Sequence, residues 1–131
     1  MKIKLDPISD MFIRIKNAQR ARHESVRIPH SKFKHEILKA LFRHGFVGEI
    51  ERRGKRVRKI LQTTLVWRDG APAVREVKMF SRPGRRLQIP YKKLRRAAHG
   101  GIIILSTSKG IMSEKEAYKE KIGGELIAEI W

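Results

Sequence analysis

The spacing of apolar residues predicts two amphipathic helices in the first half of the chain. Between residues 7 and 20, apolar side chains recur at the i, i+3, i+4, i+7 spacing of one helical face. Asp6-Pro7 marks the start, because Asp can cap free backbone amides and Pro suits the first helical position. A second helix is expected to begin after Ser31 and to end at Gly45. Its buried stripe is expected to consist of Phe33, Ile37, Leu38, Leu41 and Phe42.

Alternating polar and apolar residues predict the strands. In the first half these are residues 24–28, which stop at Pro29, and a hairpin of strands 46–51 and 57–67 around Gly54. The Asp69-Gly70 turn closes the strand 57–67. In the second half, helical spacing spans residues 91–98, and the S-x-x-E form of a capping box at Ser113 opens a short helix. The strands expected there are residues 74–80, 85–89, 102–105 and 125–131.

Together these elements predict an α+β protein of two small packed lobes. The N-terminal lobe, residues 1–70, is expected to be helix, strand, helix and hairpin. The C-terminal lobe, residues 71–131, is expected to be mainly antiparallel β with short helices. With 131 residues, the chain is long enough to bury a real core.

The charge is strongly positive and unevenly distributed. The chain has 31 Lys and Arg against 13 Asp and Glu, a formal net charge of +18. Residues 51–100 carry 16 basic and 3 acidic groups, whereas residues 101–131 carry 4 and 5. Solvated faces are one interpretation of the basic runs, but their density favours contact with the phosphates of a nucleic acid. The runs are residues 52–59, 82–86 and 92–96.

The composition disfavours several classes of function. The chain has no Cys, which excludes disulfides, thiolate zinc sites and a thiol nucleophile. Its five His lack a metal-binding spacing, and it has neither a phosphate-binding loop nor a dense carboxylate cluster. Ser106 to Lys109 match the S-x-x-K pattern of acyl enzymes, but they leave a strand instead of sharing a helical turn. We therefore expect no catalysis, metal or cofactor.

Nothing in the sequence predicts association with a membrane. No apolar run approaches the length of a membrane span, and the N-terminal residues lack the apolar core of a signal peptide. A soluble intracellular protein is therefore expected.

A segment rich in hydroxyl groups, residues 106–110, follows the apolar strand 102–105. Short hydroxyls beside an unhindered glycine can approach a sugar edge or a base where 2′-hydroxyls are offered, so this segment suits RNA better than duplex DNA. A capped turn is the alternative interpretation of the same residues.

Several blocks of the sequence resemble bacterial small-subunit ribosomal protein eight, and they occur in that family's order. They span nearly the whole chain, and the longest of them includes the hydroxyl-rich segment. The matching blocks are DPISDM at 6–11, RIKNA at 14–18, PHSKFK at 29–34, SRPG at 81–84, STSKGIMS at 106–113 and GGEL at 123–126, running on to Trp131.

The resemblance implies a two-lobe α+β protein that binds the central domain of small-subunit ribosomal RNA directly and helps to assemble the platform, without catalysis. Neighbouring small-subunit ribosomal proteins are implied partners, the ribosome in the cytoplasm is the implied location, and some relatives repress their own messenger RNA. A monomer is expected when the protein is free. The RNA-binding residues expected from the resemblance and the basic runs are Arg14, Lys32, Arg85, Arg86, Tyr91, Ser106, Thr107, Ser108, Lys109, Gly110, Gly123, Gly124 and Glu125.

The chain departs from the family pattern at one aromatic position. The family often carries Tyr shortly after the Pro-Gly turn, where this chain has Gln88. Either Tyr91 takes over the aromatic contact or the contact is missing. The segment before the hydroxyl-rich residues is also slightly shortened.

Two other classes of function compete with this interpretation. Helix, strand, helix and hairpin resemble part of a winged-helix DNA-binding regulator, but a helix-turn-helix needs a tight turn where residues 24–29 form a strand. A nucleic-acid-processing enzyme is opposed by the lack of a metal or nucleophile constellation. A preference for structured RNA over duplex DNA would argue against the DNA-binding regulator. Turnover of nucleic acid that depends on a divalent metal ion would support the enzyme.

Overall fold

The computed structural model describes residues 6–131. The chain divides into two compact units, Met1–Arg75 and Glu76–Trp131, called unit 1 and unit 2 below. Val74, just before the division, is bonded within unit 1: its amide donates to the Gln19 side chain at 3.0 Å. Helices and antiparallel sheets occur together, which confirms the predicted α+β class. The lobe boundary after residue 70 stays a prediction.

Helix α1 spans Pro7–Arg20, as its apolar spacing predicted. The Asp6 carboxylate accepts a hydrogen bond from the Ile8 amide at 3.3 Å. Pro7 occupies the first turn, where its missing N–H costs no intrahelical hydrogen bond. The buried face of α1 consists of Met11, Phe12, Ile15, Ala18 and Gln19.

Helix α2 spans Lys32–Arg43 and is capped by Ser31, whose hydroxyl accepts from the Lys34 amide at 3.1 Å. The prediction was wrong for Phe33 and Phe42, which are 39% and 49% exposed. At 100° per residue, Phe42 lies about 40° outside the arc that the buried residues cover, whereas Phe33 lies within that arc but in the first turn of the helix. The narrower stripe that is buried contains Lys34, Ile37, Leu38, Ala40 and Leu41.

Unit 1 contains a three-stranded antiparallel sheet with β3 in the middle. Its strands are β1 (Ser25–Pro29), β2 (Val47–Arg53) and β3 (Ile60–Leu65), in the order β1-β3-β2. Helix α1 contacts β1 and β3, and α2 contacts β2, so both helices cover the sheet. The sheet contributes Ile28, Val47, Leu61, Thr63 and Leu65 to the buried interior.

The predicted strand 57–67 is shorter in the structure. The last register pair of the β2–β3 hairpin is Arg53 with Ile60, and residues 54–59 form an exposed tip beyond it. Val57 lies in this tip and is 96% exposed. Gly54 has a φ of +94°, and a Cβ there would overlap the carbonyl oxygen of Arg58, so the chain can turn here only through glycine.

A two-residue ribbon follows the sheet in unit 1. Strands β4 (Trp67–Arg68) and β5 (Ala71–Pro72) pair across Asp69 and Gly70, whose φ angles are +52° and +80°. Two successive positive φ angles are typical of a tight hairpin turn, which confirms the turn predicted at Asp69-Gly70.

Unit 2 is built on a five-stranded sheet in which β10 (Gly124–Ile130) is central. One side of β10 pairs with β8 (Ile102–Thr107), and β8 pairs in turn with β9 (Gly110–Ser113). The other side pairs first with β7 (Leu87–Ile89) and then with β6 (Val77–Met79). Every pairing is antiparallel. The interior is formed by Ile102, Ile103, Ile104, Leu105, Met112, Ala117, Ile127, Ala128 and Ile130.

Helix α3 spans Glu114–Glu120 and has the predicted capping box. The Ser113 hydroxyl accepts from the Glu116 amide at 3.2 Å, and the Glu116 carboxylate accepts from the Ser113 amide at 3.0 Å. Each bond gives an acceptor to a backbone N–H group that would otherwise lack one at the helix start.

The helix predicted over residues 91–98 is not formed. Only Tyr91–Lys93 makes a 3₁₀ turn, and Leu94 is already extended, with φ −63° and ψ 132°. The Ala98 amide donates to the Glu129 carboxylate at 2.9 Å instead of to a helical carbonyl. The Ala98 amide therefore has its acceptor on β10 and not within a helix.

Candidate nucleic-acid interface

The hydroxyl-rich residues 106–110 form the tip of the β8–β9 hairpin. Ser106 and Thr107 belong to β8, Ser108 and Lys109 form the turn, and Gly110 begins β9. The prediction that the strand ends at Leu105 was therefore wrong for Ser106 and Thr107, because their pairing partner β9 was not foreseen. The hairpin holds the hydroxyls on paired backbone, which limits their motion more than a free loop would.

Thr107 and Gly110 make the turn. The Thr107 hydroxyl donates to the Gly110 carbonyl at 2.7 Å and accepts from the Lys109 amide at 3.1 Å. Gly110 has a φ of +114°, a value that suits glycine, and a Cβ there would meet no atom within 4 Å. The Thr107 hydroxyl is thus occupied within the turn, and the space beside Gly110 is open.

Ser108 and Lys109 are the exposed residues of the tip. The Ser108 hydroxyl has no hydrogen-bond partner among residues 6–131. The Lys109 ammonium lies 3.5 Å from the Glu120 carboxylate of α3, and both side chains are more than half exposed. Such an exposed pair contributes little to stability, so Lys109 can exchange Glu120 for another anion at small cost.

Gly123 and Gly124 allow the backbone to pack closely at the start of β10. A Cβ on Gly123 would overlap the carbonyl oxygen of Ile89, and one on Gly124 would overlap the carbonyl oxygen of Ser106. Gly124 also faces the Thr107 methyl group, 3.0 Å from the position of such a Cβ. These glycines therefore bring β7 and β8 against β10, which holds the hairpin tip in place.

Glu125 lies next to a basic turn. Its carboxylate, 17% exposed, is 3.6 Å from the guanidinium of Arg86, which is 78% exposed. The turn itself is closed by reciprocal backbone hydrogen bonds between Arg82 and Arg85, both of 2.9 Å. Arg82, Arg85 and Arg86 are all exposed around Pro83-Gly84, so this turn presents three guanidinium groups to solvent.

Ser81 is a site-forming residue that the sequence did not reveal. Its hydroxyl donates to the Leu126 carbonyl and accepts from the Leu87 amide at 3.3 Å. The bonds anchor the basic turn where the pairing of β10 with β8 shifts register, between Leu126 and Ala128. A Ser directly before Arg-Pro-Gly was the only available signal.

Gln88 lies in strand β7, and Tyr91 begins the 3₁₀ turn that follows this strand. Gln88 lies in β7, is exposed and pairs with Glu125, whereas Tyr91 is half-buried. The Tyr91 ring packs beside the Tyr118 ring of α3, with centroids 6.4 Å apart and a tilt of 60°. Tyr91 is also adjacent to Gly123, whose missing Cβ leaves room for the Tyr91 backbone.

The two expected residues in the N-terminal half lie in unit 1. Arg14 is on the exposed side of α1 and pairs with Asp10, with 2.8 Å between Nε and Oδ2. Lys32 is exposed in the first turn of α2. The remaining expected residues belong to unit 2, where β10 connects the hairpin tip, the glycine pair and the basic turn.

Metal-binding clusters and membrane-crossing helices were sought among the described residues. No group of three or more His, Asp or Glu within residues 6–131 could hold a metal ion. No helix in that range is long and apolar enough to cross a membrane. Ser106 and Lys109 lie on a strand and a turn, so they do not share the helical turn that an S-x-x-K nucleophile requires.

The α+β fold, the exposed Ser108 hydroxyl, the closely packed glycines and the three exposed guanidinium groups of the basic turn fit one class of protein, the basic RNA-binding proteins. The family model described as Ribosomal protein S8 matches residues 6–131, and the chain belongs to that family. It is therefore a structural protein of the small ribosomal subunit, located with the ribosome in the cytoplasm.

Curated relatives agree with this assignment over almost the full length. The small ribosomal subunit protein uS8 of Dictyoglomus thermophilum is 44% identical over 127 residues, covering 96% of this chain and 97% of the relative. That of Mycoplasmopsis pulmonis is 41% identical over 132 residues and covers 100% of both chains. That of an Anaeromyxobacter species is 42% identical over 128 residues, with 96% and 97% covered.

Proposed function

We propose that this chain binds the central domain of small-subunit ribosomal RNA directly through unit 2 and helps to assemble the platform of the subunit. The observation that carries the proposal is the β8–β9 tip, where the Ser108 hydroxyl is exposed beside the open space at Gly110. A short hydroxyl on a rigid turn can reach a sugar edge or a base in a distorted RNA helix.

Exposed cations around the tip supply the phosphate contacts. Arg85 and Arg86 are exposed on the basic turn, and Lys109 is 64% exposed on the hairpin. Phosphate contacts of this kind position a protein on nucleic acid but do not read sequence. Glu125 orients Arg86 and offers an acceptor of its own, so the contact surface combines affinity with discrimination.

Residues of both units take part in this proposal. Arg14 and Lys32 add phosphate contacts from unit 1, Tyr91 supplies a ring beside Gly123, and Gly124 keeps β8 against β10. Neighbouring small-subunit proteins are further partners, and a messenger RNA with a similar helix would occupy the same surface. The free protein would be a monomer.

The topology of unit 1 argues against the DNA-binding alternative. Strand β1 lies between α1 and α2, so these helices are not joined by the tight turn of a helix-turn-helix. The comparison to make is binding of the chain to structured ribosomal RNA and to duplex DNA at equal salt. A preference for duplex DNA would overturn the proposal.

Binding to separate domains of the ribosomal RNA tests the proposal more finely. The chain should bind a central-domain transcript more tightly than transcripts of the other domains in a filter-binding competition. Ser108→Ala should reduce that preference, whereas Thr64→Val, which removes an exposed hydroxyl from β3 of unit 1, should leave it unchanged. Equal affinity of the unmodified chain for all domains would contradict the assignment.

A further inference from the structure

Two neighbouring cavities flank the segment 91–98 that follows strand β7 in unit 2. Leu94 and Arg95 line both cavities, which have volumes of about 440 and 490 Å³. Helix α3 forms another wall of the first cavity through Lys115 and Tyr118, and the second cavity reaches back to Ile89 at the end of β7. The two cavities together form a groove, called the 92–96 groove below, and each has a volume typical of ligand sites.

The rim of the groove is strongly cationic. Five exposed Lys or Arg line it, and none of them has a carboxylate partner among residues 6–131. They are Lys92, Lys93, Arg95, Arg96 and Lys115. The one acidic lining residue, Glu114, is 3% exposed, and its carboxylate accepts from the Ile103 amide at 3.1 Å. The groove therefore presents positive charge to solvent and favours an anionic ligand.

Apolar surface lies between these cations. Ile89 and Leu94 are half-buried, and Tyr118 is 61% exposed. The Tyr118 ring is steadied by the ring of Tyr91, whose centroid is 6.4 Å away. An inorganic anion would leave this apolar surface in water. A ligand that combines carboxylates with an apolar side chain would cover both kinds of surface.

The backbone of the same segment is open between two fixed points. The Leu94 amide donates to the Tyr91 carbonyl at 3.1 Å, and the Ala98 amide donates to the Glu129 carboxylate at 2.9 Å. Between them, residues 95–97 make no hydrogen bond with any residue in the range 6–131. Leu94 itself is extended, with φ −63° and ψ 132°. A segment of this kind can pair its free N–H and C=O groups with the backbone of an extended peptide.

From these observations we propose that the 92–96 groove binds an extended acidic segment of another protein. The backbone of that segment would pair with residues 95–97, and its carboxylates would meet the exposed cations of the rim. One of its apolar side chains would enter the groove beside Leu94 and Tyr118. A peptide matches the spacing of the open backbone groups, which a chain of phosphates does not.

The groove lies away from the β8–β9 tip of unit 2. Lys115, which lines the groove, is in the first turn of α3, whereas the tip meets the last residue of that helix through the ion pair of Lys109 with Glu120. The two ends of α3 are about 9 Å apart at 1.5 Å per residue. A peptide in the groove would therefore leave the tip open.

Fluorescence anisotropy with the full chain and a labelled peptide tests the inference. The probe is a short peptide of Asp and Glu around one central Leu, and a second peptide with Ala at the centre measures the apolar contact. The Leu peptide should bind more tightly than the Ala peptide. Arg95→Gln/Arg96→Gln should weaken binding of the Leu peptide about 2- to 30-fold, as the loss of two exposed ion pairs does. Equal affinity for the two peptides would contradict the apolar contact and overturn the inference.

Two arginines of the β2–β3 hairpin provide the matched control. Arg56→Gln/Arg58→Gln removes the same charge from exposed positions in unit 1. At physiological ionic strength this variant should bind the Leu peptide almost as the unmodified chain does, because charges that do not touch the peptide are screened. Equal losses in the two double variants would show that net charge alone attracts the peptide, which would refute a defined groove.

Nuclear magnetic resonance separates the groove from the proposed RNA surface. Addition of the Leu peptide should shift the amide signals of residues 95–97 and slow their hydrogen exchange, because these amides gain hydrogen bonds. The amide signals of Ser108 and Lys109 should stay unchanged, and the peptide should still bind when a central-domain transcript is present. Shifts confined to Ser108 and Lys109, or displacement of the peptide by the transcript, would assign the groove to RNA and overturn the inference.

Discussion

Substitution of two adjacent hydroxyls in the β8–β9 turn should separate stability from RNA binding. Thr107→Val keeps the shape of the side chain but removes the hydroxyl that donates to the Gly110 carbonyl and accepts from the Lys109 amide. Ser108→Ala removes a hydroxyl that has no partner among residues 6–131. The two changes are one residue apart, so they probe the same turn.

The hydrogen bonds of the turn set the expected loss of stability. A net contribution of about 0.5–1.5 kcal/mol for each of two bonds gives about 1–3 kcal/mol for Thr107. Because water can reach the freed groups of this exposed turn, we expect the lower half of that range. Ser108→Ala should change the free energy of unfolding by less than about 0.5 kcal/mol, as is usual for an exposed position.

RNA affinity should respond in the opposite order. A hydrogen bond lost to a partner buried in the complex costs about 1–3 kcal/mol, so Ser108→Ala should weaken specific binding about 5- to 150-fold. Thr107→Val should weaken it less in conditions where the variant is folded. Urea unfolding followed by circular dichroism, and fluorescence anisotropy with a labelled central-domain transcript, measure the two effects.

One combination of results would refute this reasoning. If Ser108→Ala destabilises the fold and binds RNA normally once folded, Ser108 is a structural residue. If Thr107→Val then loses affinity without losing stability, the two roles are reversed. The RNA contact would in that case have to be sought at Gly123, Gly124 and Glu125.

Three further predictions concern other residues. Gly124→Ala should destabilise the fold by about 1–3 kcal/mol, as overpacking does, because its Cβ would overlap strand β8, and thermal unfolding would show this. The pKa of His35 is lowered by burial and then by Lys39 and, more weakly, Arg52, so the unfolded chain binds more protons. Stability should therefore decrease as the pH falls through the ordinary histidine pKa of about 6.5, and less so in His35→Gln, as urea titrations at several pH values would measure. Lys109→Ala should weaken binding to all RNAs alike and lower the salt slope by about one unit in anisotropy titrations.

The helices that sequence predicted well are those whose signals are local. α1 begins at a capping Asp followed by Pro and buries the face that its spacing marked. α2 was located equally well, but the width of its buried stripe depends on the sheet against which it packs. Phe33 and Phe42 lie at the edges of that contact, and periodicity alone does not reveal where a contact ends.

The elements that sequence missed depend on partners far away in the chain. Strand β9 has only four residues and exists because it pairs with β8. The helix expected after Tyr91 does not continue past Lys93, and the Ala98 amide donates to Glu129 on β10. Local propensity is a weak guide in such cases, because tertiary contacts override it.

The same distinction holds for the candidate interface. The residue types at Ser106–Gly110 and Gly123–Glu125 were visible in the sequence because they match blocks of a family. Which hydroxyl is free and which one makes the turn was not visible, since that depends on the pairing of Thr107 with Gly110. The anchoring role of Ser81 likewise depends on Leu126, which is distant in sequence.

Chemical footprinting on deproteinised small-subunit ribosomal RNA tests the central claim most directly. The unmodified chain should protect a compact set of nucleotides within the central domain at moderate salt. Ser108→Ala should lose part of that protection at protein concentrations where Thr64→Val retains it. Protection scattered over all domains, or an unchanged footprint with Ser108→Ala, would contradict the claim that the β8–β9 tip recognises the RNA.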